Sequence, residues 1–207
     1  MRTLLAVFFF LFSLSLFSQD YYNKDSSRAS KKEPDSVASS KVYLGISTGL
    51  NSDVGLFGFV GKVRLKNTFF LLAAAGIGSW GTKLSIGAKH ERKNTKCWGY
   101  SLSYSRSSGL KDFTIELETV DSIGKPPVTK EVNMDLLPAG TLNLAASYNW
   151  YFRKNKLFYL EFGYALPLVL DPYRIKDGSE LTEESKIALR IIQPGGVLFG
   201  VGFMFGL

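Results

Sequence analysis

The sequence contains one cysteine and one histidine in 207 residues. A single cysteine, Cys97, excludes an intramolecular disulfide and a cysteine-based zinc site. With His90 as its only histidine, the chain has no recognisable transition-metal cluster. Long apolar runs are also missing. Beyond residue 18 no stretch reaches the ~18 apolar residues of a transmembrane helix. Phe69 to Ile77 comes nearest and is far too short. The net charge is +7, but no basic helix or nucleic-acid motif accompanies it. The basic residues sit at a few turns and in the N-terminal tail, so nucleic acid is not an expected partner.

What is present is alternation. Phe199, Val201, Phe203, Phe205 and Leu207 share one parity, and Gly200, Gly202, Met204 and Gly206 the other. A period of two marks a strand. One face is bulky and the other nearly bare, which suits a strand between lipid and a crowded barrel lumen. At the other end Arg2 precedes an apolar stretch from Leu4 to Phe17, closed by Ser18, Gln19 and Asp20. Residues 1–18 read as a secretory signal peptide, too short to span a bilayer as a helix. Residues 19–40, rich in Ser, Lys and Asp, read as a flexible periplasmic leader. An exported chain with no helical span is either soluble or a β-barrel.

From Val42 onward the sequence reads as eight strands. Val42 to Leu50 sets Leu44 and Ile46 against Tyr43, Gly45 and Ser47, and Val54 to Leu65 sets Phe57, Phe59 and Val63 against Gly58, Lys62 and Arg64. Thr68 to Ile77 is apolar on both faces, which leaves its orientation open. Thr82 to Glu91 sets Leu84, Ile86 and Ala88 against Ser85, Gly87, Lys89 and Glu91. The fifth strand, from Cys97, turns Trp98, Tyr100, Leu102 and Tyr104 away from Gly99, Ser101 and Ser103. The sixth ends in Leu142 to Phe152, with Asn143, Ser147 and Asn149 on its second face. The seventh sets Phe158, Phe162 and Tyr164 against Tyr159, Glu161 and Gly163, and Phe199 to Leu207 is the eighth. Joins at Lys66-Asn67, residues 93–96 and residues 153–156 are short, basic and contain Asn, which tolerates the left-handed backbone of tight turns. They follow the second, fourth and sixth strands, and two of the other joins are long. Short periplasmic turns and longer extracellular loops are the pattern of an outer-membrane barrel. Phe69, Trp98, Trp150, Phe152 and Phe158 crowd beside the basic turns, where an interfacial girdle belongs. A soluble lipocalin-like calyx also has eight strands, but it turns its apolar face inward. The Gly, Ser and Ala of the second face would then make a poor solvated exterior.

Residues 41–207 therefore resemble the small OmpA/OmpX-type barrels of Gram-negative outer membranes. The resemblance is one of pattern, with the C-terminal strand as its local motif. That strand usually ends in Phe, and Leu207 departs from this. The resemblance implies an all-β, eight-stranded antiparallel up-and-down transmembrane β-barrel with protruding extracellular hairpins, located in the cell outer membrane. It also implies outer-membrane lipid and the barrel-assembly machinery as partners.

Strands five and six run on past the roughly 10 residues a membrane strand needs. Phe113, Ile115 and Leu117 alternate after a break at Ser107-Ser108-Gly109. Val128, Val132, Met134 and Leu136 keep the even parity of Leu142 to Phe152, with a hairpin tip at Ile123 to Pro127. Leu168 and Leu170 extend the seventh strand in the same way. Ile187, Leu189 and Ile191 extend the eighth, with a kink at Gly195-Gly196. The competing reading of Leu181 to Ile192 is a short amphipathic helix capped by Thr182, with Glu183 and Glu184 in its first turn. The strand reading is preferred. Protruding hairpins have exposed edges that can accept another strand. An extracellular protein partner is accordingly expected to use residues 106–140 and 171–192. The alternative is that the hairpins only shield the barrel mouth.

Lys62, Arg64, Lys89, Glu91 and Glu161 fall on the lumen face. Eight strands leave room for little but side chains, so a salt-bridged plug is expected in preference to a conduit. His90 falls on the lipid face. Small outer-membrane barrels include lipid A deacylases and palmitoyltransferases that use a His with a Ser and a carboxylate. Here Glu91-Arg92 replaces the His-x-Ser pattern, and His90 lies at the periplasmic end, away from the outer leaflet. An interfacial, non-catalytic His90 and a packing role for Cys97 are expected. No catalytic, cofactor-binding or metal-binding residue and no cofactor is assigned. The expected function is a non-enzymatic envelope-structural or surface-interaction role. The alternatives are a lipid-modifying enzyme and a soluble lipocalin-like barrel.

Overall fold

The computed structural model describes residues 40–92, 95–120, 127–152 and 155–207. Residues 1–39, where the signal peptide and leader are expected, residues 121–126 with most of the expected hairpin tip, and the turn positions 93–94 and 153–154 lie outside the described residues.

The elements are β1 (Val42–Leu50), β2 (Phe57–Arg64), β3 (Phe69–Gly78), β4 (Gly81–Glu91), β5 (Lys96–Ser107), β6 (Leu110–Val120), β7 (Val128–Leu136), β8 (Ala139–Phe152), β9 (Lys156–Pro167), β10 (Tyr173–Ile175), β11 (Glu180–Leu181), α1 (Glu183–Ile192) and β12 (Gly196–Gly206). Eight of these strands close an antiparallel barrel in the order β1-β12-β9-β8-β5-β4-β3-β2. The closing seam pairs Tyr43 with Gly206 and runs to Leu50 opposite Phe199. A second, four-stranded sheet, β10-β7-β6-β11, is built from the two long excursions and forms a cap with α1. The whole fold is an up-and-down meander in which the chain leaves the barrel twice at the same end.

The period of two decides the barrel wall. In β8 every odd residue from Ala139 to Tyr151 is buried, and the even residues between them point out. The ambiguous third strand takes a definite side: Phe70, Leu72 and Ala74 are buried, while Phe69, Leu71 and Ile77 are exposed. The bare face of β12 is explained by its neighbours. A Cβ at Gly202 would come within 2.5 Å of the Tyr159 ring, which reaches over it from β9. Lumen glycines on one strand make room for large side chains on the next.

Three expectations fail at the other end of the barrel. Residues 181–192 form a helix, not a strand. Thr182 caps it by accepting from the Ser185 amide at 3.2 Å, and Glu183 and Glu184 occupy the first turn. Ser185 and Leu189, one turn apart, are its buried residues. The alternation of Ile187, Leu189 and Ile191 is incidental, since only Leu189 is buried. The seventh strand does not reach Leu170: β9 ends at Pro167, whose missing N–H cannot continue a ladder, and Asp171 adopts a positive φ of 49°. The second strand starts at Phe57 and not at Val54, because residues 53–56 form a turn in which Asp53 and Val54 are buried. The long hairpin forms as expected, but as a separate sheet. Its first strand carries an irregularity between Leu110 and Phe113, with Asp112 at φ 53°.

Candidate functional site

The lumen collects charge because inward positions of adjacent strands meet there. Lys62 Nζ donates to both carboxylate oxygens of Glu91 at 2.8 Å and to Tyr151 Oη at 2.9 Å. Tyr151 Oη in turn donates to Glu91. Lys89 Nζ lies 3.1 Å from Glu91 and donates to Asn149 Oδ1 at 3.2 Å. Lys62 and Glu91 are each 1% exposed, so this is a buried network and not a surface pair. Arg64 is half-buried, with its guanidinium 5.2 Å from the centre of the Phe70 ring.

A second cluster closes the end of the barrel from which the cap rises. The β1–β2 turn dips into the mouth. The Asp53 carboxylate accepts from Ser103 Oγ at 2.5 Å and from Asn143 Nδ2 at 2.7 Å. Lys83 Nζ donates to the Ser52 carbonyl at 2.7 Å, and Ser85 Oγ to the Asp53 carbonyl at 2.5 Å. Asp53 and Lys83 were not among the residues singled out from sequence. Lys83 shares the parity of Ser85 and Lys89, so alternation could have found it. Asp53 lies in a turn, where parity says nothing.

Among the described residues the buried charged side chains are three lysines (Lys62, Lys83, Lys89) and three carboxylates (Asp53, Glu91, Glu161). Between the clusters a void of about 10 Å³ remains, lined by Asp53, Lys62, Lys89, Tyr159 and Glu161 among others. That is room for about one water. Around that void the lumen is filled by the side chains of the two clusters.

The cap has a core of its own. Trp80, in the two-residue turn between β3 and β4, is 1% exposed and clusters with Leu117, Val132, Met134, Leu136 and Leu189. Its Nε1 donates to the Leu137 carbonyl at 2.9 Å, which ties the barrel rim to the cap. The hairpin edges are partly taken by the chain itself: β10 pairs with β7 over Leu136 to Met134, and β11 with β6 over Val120 and Thr119. Lys176, just past β10, lies 2.5 Å from Asp112 and 2.9 Å from Asp135. Its hydrogen bond, with that from the Asp112 amide, holds the Asp135 carboxyl below the usual carboxylate range. The same two carboxylates raise Lys176 above the usual lysine value.

The outer wall is apolar around the barrel. Leu44, Ile46, Phe59, Leu84, Ile86, Leu102, Phe162 and Phe199 are all exposed. At the end with the short turns, Trp98, Tyr148, Trp150 and Phe158 form a ladder of ring contacts with centroids 4.5–5.4 Å apart. His90 also faces out, 5.2 Å from the Phe69 ring. Its strand neighbours Lys89 and Glu91 point into the lumen, as do the buried Ser85, Ser103, Ser105 and Ser147 of the wall. His90 and the Glu91 carboxylate therefore lie on opposite faces of the wall. Cys97 is buried on the lumen side, as expected. No group of three or more potential metal ligands occurs among the described residues.

A closed eight-stranded antiparallel barrel, apolar outside and polar inside, is in architecture a small barrel of the OmpA/OmpX type. The sequence matches no family model and no curated protein. Among solved structures, the N-terminal β-barrel domain of Pseudomonas aeruginosa OprF matches at 10% identity with a TM-score of 0.45, over 80% of this chain and 96% of that one.

Proposed function

We propose that this chain is a non-enzymatic outer-membrane barrel of a Gram-negative envelope, with the cap outside the cell and the basic turns in the periplasm. The observation that carries this reading is the inverted wall: exposed Leu, Ile and Phe on the outside, and a polar, packed interior. Such a wall is unstable in water and stable in lipid. A soluble calyx would need the reverse. The packed lumen favours an envelope-structural or surface-contact role over transport. The cap, residues 106–140 and 171–192, is the part that would meet an extracellular protein partner. Below the cap, outer-membrane lipid surrounds the wall, and insertion requires the barrel-assembly machinery.

The experiment is fractionation with heat-modifiability. The mature chain should co-sediment with outer membranes and migrate faster on gels unboiled than boiled. Protease added to whole cells should cut in the cap and spare Lys66. Recovery as a soluble protein would reject the reading. A change in lipid A acylation that depends on His90, tested with His90→Ala, would reject the non-enzymatic part.

A further inference from the structure

The helix α1 has two apolar stripes on opposite sides. Leu189 and Ile192 pack into the cap core with Trp80. Ile187 and Ile191, one turn apart on the other side, are 56% and 71% exposed. A surface helix in water normally carries charge on its outer face, and two bare isoleucines one turn apart ask for a cover. The structure says where they stand. Ser79 Oγ donates to the Ile192 carbonyl at 2.8 Å, and Asn51 Nδ2 to the Gly195 carbonyl at 2.6 Å. Both donors belong to turns at the barrel rim, so the C-terminal end of α1 is fastened to the rim. Arg190 reaches Asp171 at 3.2 Å and brings the 168–171 turn to the same helix. Leu168 and Leu170 on that turn are exposed, and Leu168 continues the outward row of β9.

Height can be reckoned from the strand. The outward row from Phe158 to Leu168 rises about 25 Å at the usual strand rise and tilt, which is about the height of the apolar band of such barrels. Leu168 therefore marks the upper edge of the lipid-facing band, Leu170 follows it on the same turn, and the Arg190–Asp171 pair ties the helix that carries Ile187 and Ile191 to that turn. We infer that α1 and the 168–171 turn rest in the headgroup region of the outer leaflet, with Leu170, Ile187 and Ile191 inserted into membrane lipid. The occupant is the membrane itself, because the helix is tied to the turn whose Leu168 continues the outward row of the wall. The inference rests on the outer-membrane reading. It makes one side of the cap a collar seated on lipid and leaves the rest of the cap free.

The test uses the full chain with Cys97→Ser, refolded into phosphatidylcholine vesicles, carrying one fluorophore at Ile191→Cys, Ile187→Cys, Leu144→Cys or Glu131→Cys. The gel shift between unboiled and boiled samples confirms that each labelled barrel has closed. Lipid brominated near the glycerol should quench the probes at 191 and 187, which iodide in the buffer should not reach. Lipid brominated at mid-chain should quench the probe at 144, and iodide alone the probe at 131. Insertion of about 5–10 Å is typical for an interfacial helix. If iodide quenches 191 and 187 while brominated lipid quenches 144, the inference is overturned and the barrel reading stands. If brominated lipid fails to quench 144, the barrel reading falls first and the inference with it. Protection of 191 that grows with the protein-to-lipid ratio would mean that a second copy covers the stripe, which also overturns the inference.

Discussion

The strands β7 and β8 are almost consecutive, and they use the same parity in opposite ways. In β7 the even residues Val132, Met134 and Leu136 are buried in the cap core. In β8 the even residues from Leu142 to Trp150 point outward and the odd ones fill the lumen. Leu137 and Pro138 interrupt the ladder without shifting the count. What changes is the solvent. Above the rim the medium is water, and an apolar row gains by turning inward. Below it, on the reading proposed here, the medium is hydrocarbon, and the same row gains by turning out. The area term is alike in both, about 25 cal/mol per Å² of apolar surface removed from water. A hydropathy pattern thus names the face that avoids water, and not whether that face is inside or outside.

The comparison breaks most severely in the lumen, where the barrel holds what the cap excludes. Glu91→Gln should leave Lys62 and Lys89 sharing no carboxylate at sites that are 1% and 3% exposed. Breaking a buried pair by removing one partner costs about 3–5 kcal/mol. Urea unfolding from lipid vesicles should show a loss of that order, with the cap unable to compensate. A variant as stable as the parent would mean that Lys62 and Lys89 are not held by Glu91.

Two substitutions on rows of the same parity test the inversion itself. Leu144→Arg, on the outward row, should cost about 2–4 kcal/mol if the residue lies near the bilayer middle. Met134→Ala, at 0% exposure in the cap, should cost about 2–5 kcal/mol, but locally. Hydrogen exchange after Met134→Ala should rise in β6, β7 and α1 and stay unchanged in β4, β5 and β8. If Leu144→Arg were harmless, the outer wall would not face lipid.

How far the sequence reveals all this follows from the same physics. Alternation is local, so β1, β4 and β12 could be read with their lumen faces, and Lys62, Lys89 and Glu91 could be placed together. It fails where the partner is remote or the chain turns. Nothing in Ser79-Trp80 announces that the indole will anchor a cap built from β6, β7, β10, β11 and α1. Asp53 is invisible because a turn has no parity. The helix at 183–192 reads as a strand in sequence because Leu189, flanked two residues away on each side by Ile, fits a period of two as well as the helical spacing from Ser185. The cap-box features at Thr182, Glu183 and Glu184 were the better guide, since they carry a hydrogen bond and a dipole, which a strand does not use. The partial covering of the hairpin edges by β10 and β11 was out of reach for a similar reason, because those segments are only three and two residues long.

The mouth of the barrel gives a smaller effect. Asn143 Nδ2 donates at 2.7 Å to both Asp53 Oδ1 and Ser105 Oγ. Sequence places Asn143 on the lumen face, where Asn143→Ser looks innocuous. With Asp53 in view, the shorter side chain withdraws a donor from a buried carboxylate. A loss of about 1–3 kcal/mol is expected, and the β1–β2 turn should exchange faster while β9 and β12 do not. A silent Asn143→Ser would show that Ser103, with Lys83 and Ser85 on the turn's carbonyls, suffices to hold it.

The smallest effect belongs to the cap and depends on pH. Asp135 and Asp112 both meet Lys176, and this pairing, with the Lys176 amide donating to Asn133 at 3.0 Å, fastens the end of β10 to the hairpin. The Asp135 carboxyl is held below its ordinary 3.8, first by the hydrogen bond from Lys176 and then by the Asp112 amide. A carboxyl depressed in the folded state stabilises above its ordinary value, and that contribution fades as pH falls through the depressed one. Lys176 is raised above its ordinary 10.5, so its share is complete below that value and fades as pH climbs through the raised one. Between those limits the tie holds, and all three groups are accessible enough for salt to weaken it. Amide exchange in β10, corrected for its intrinsic pH dependence, should therefore rise at the acid limit and with added salt, while β8 stays protected. At neutral pH, Asp135→Asn should raise the exchange of β10 toward its acid level and remove most of its dependence on pH. Protection of β10 that responds to neither acid nor Asp135→Asn would show that the backbone pairing of Tyr173 to Ile175 with β7 holds the segment without the charges.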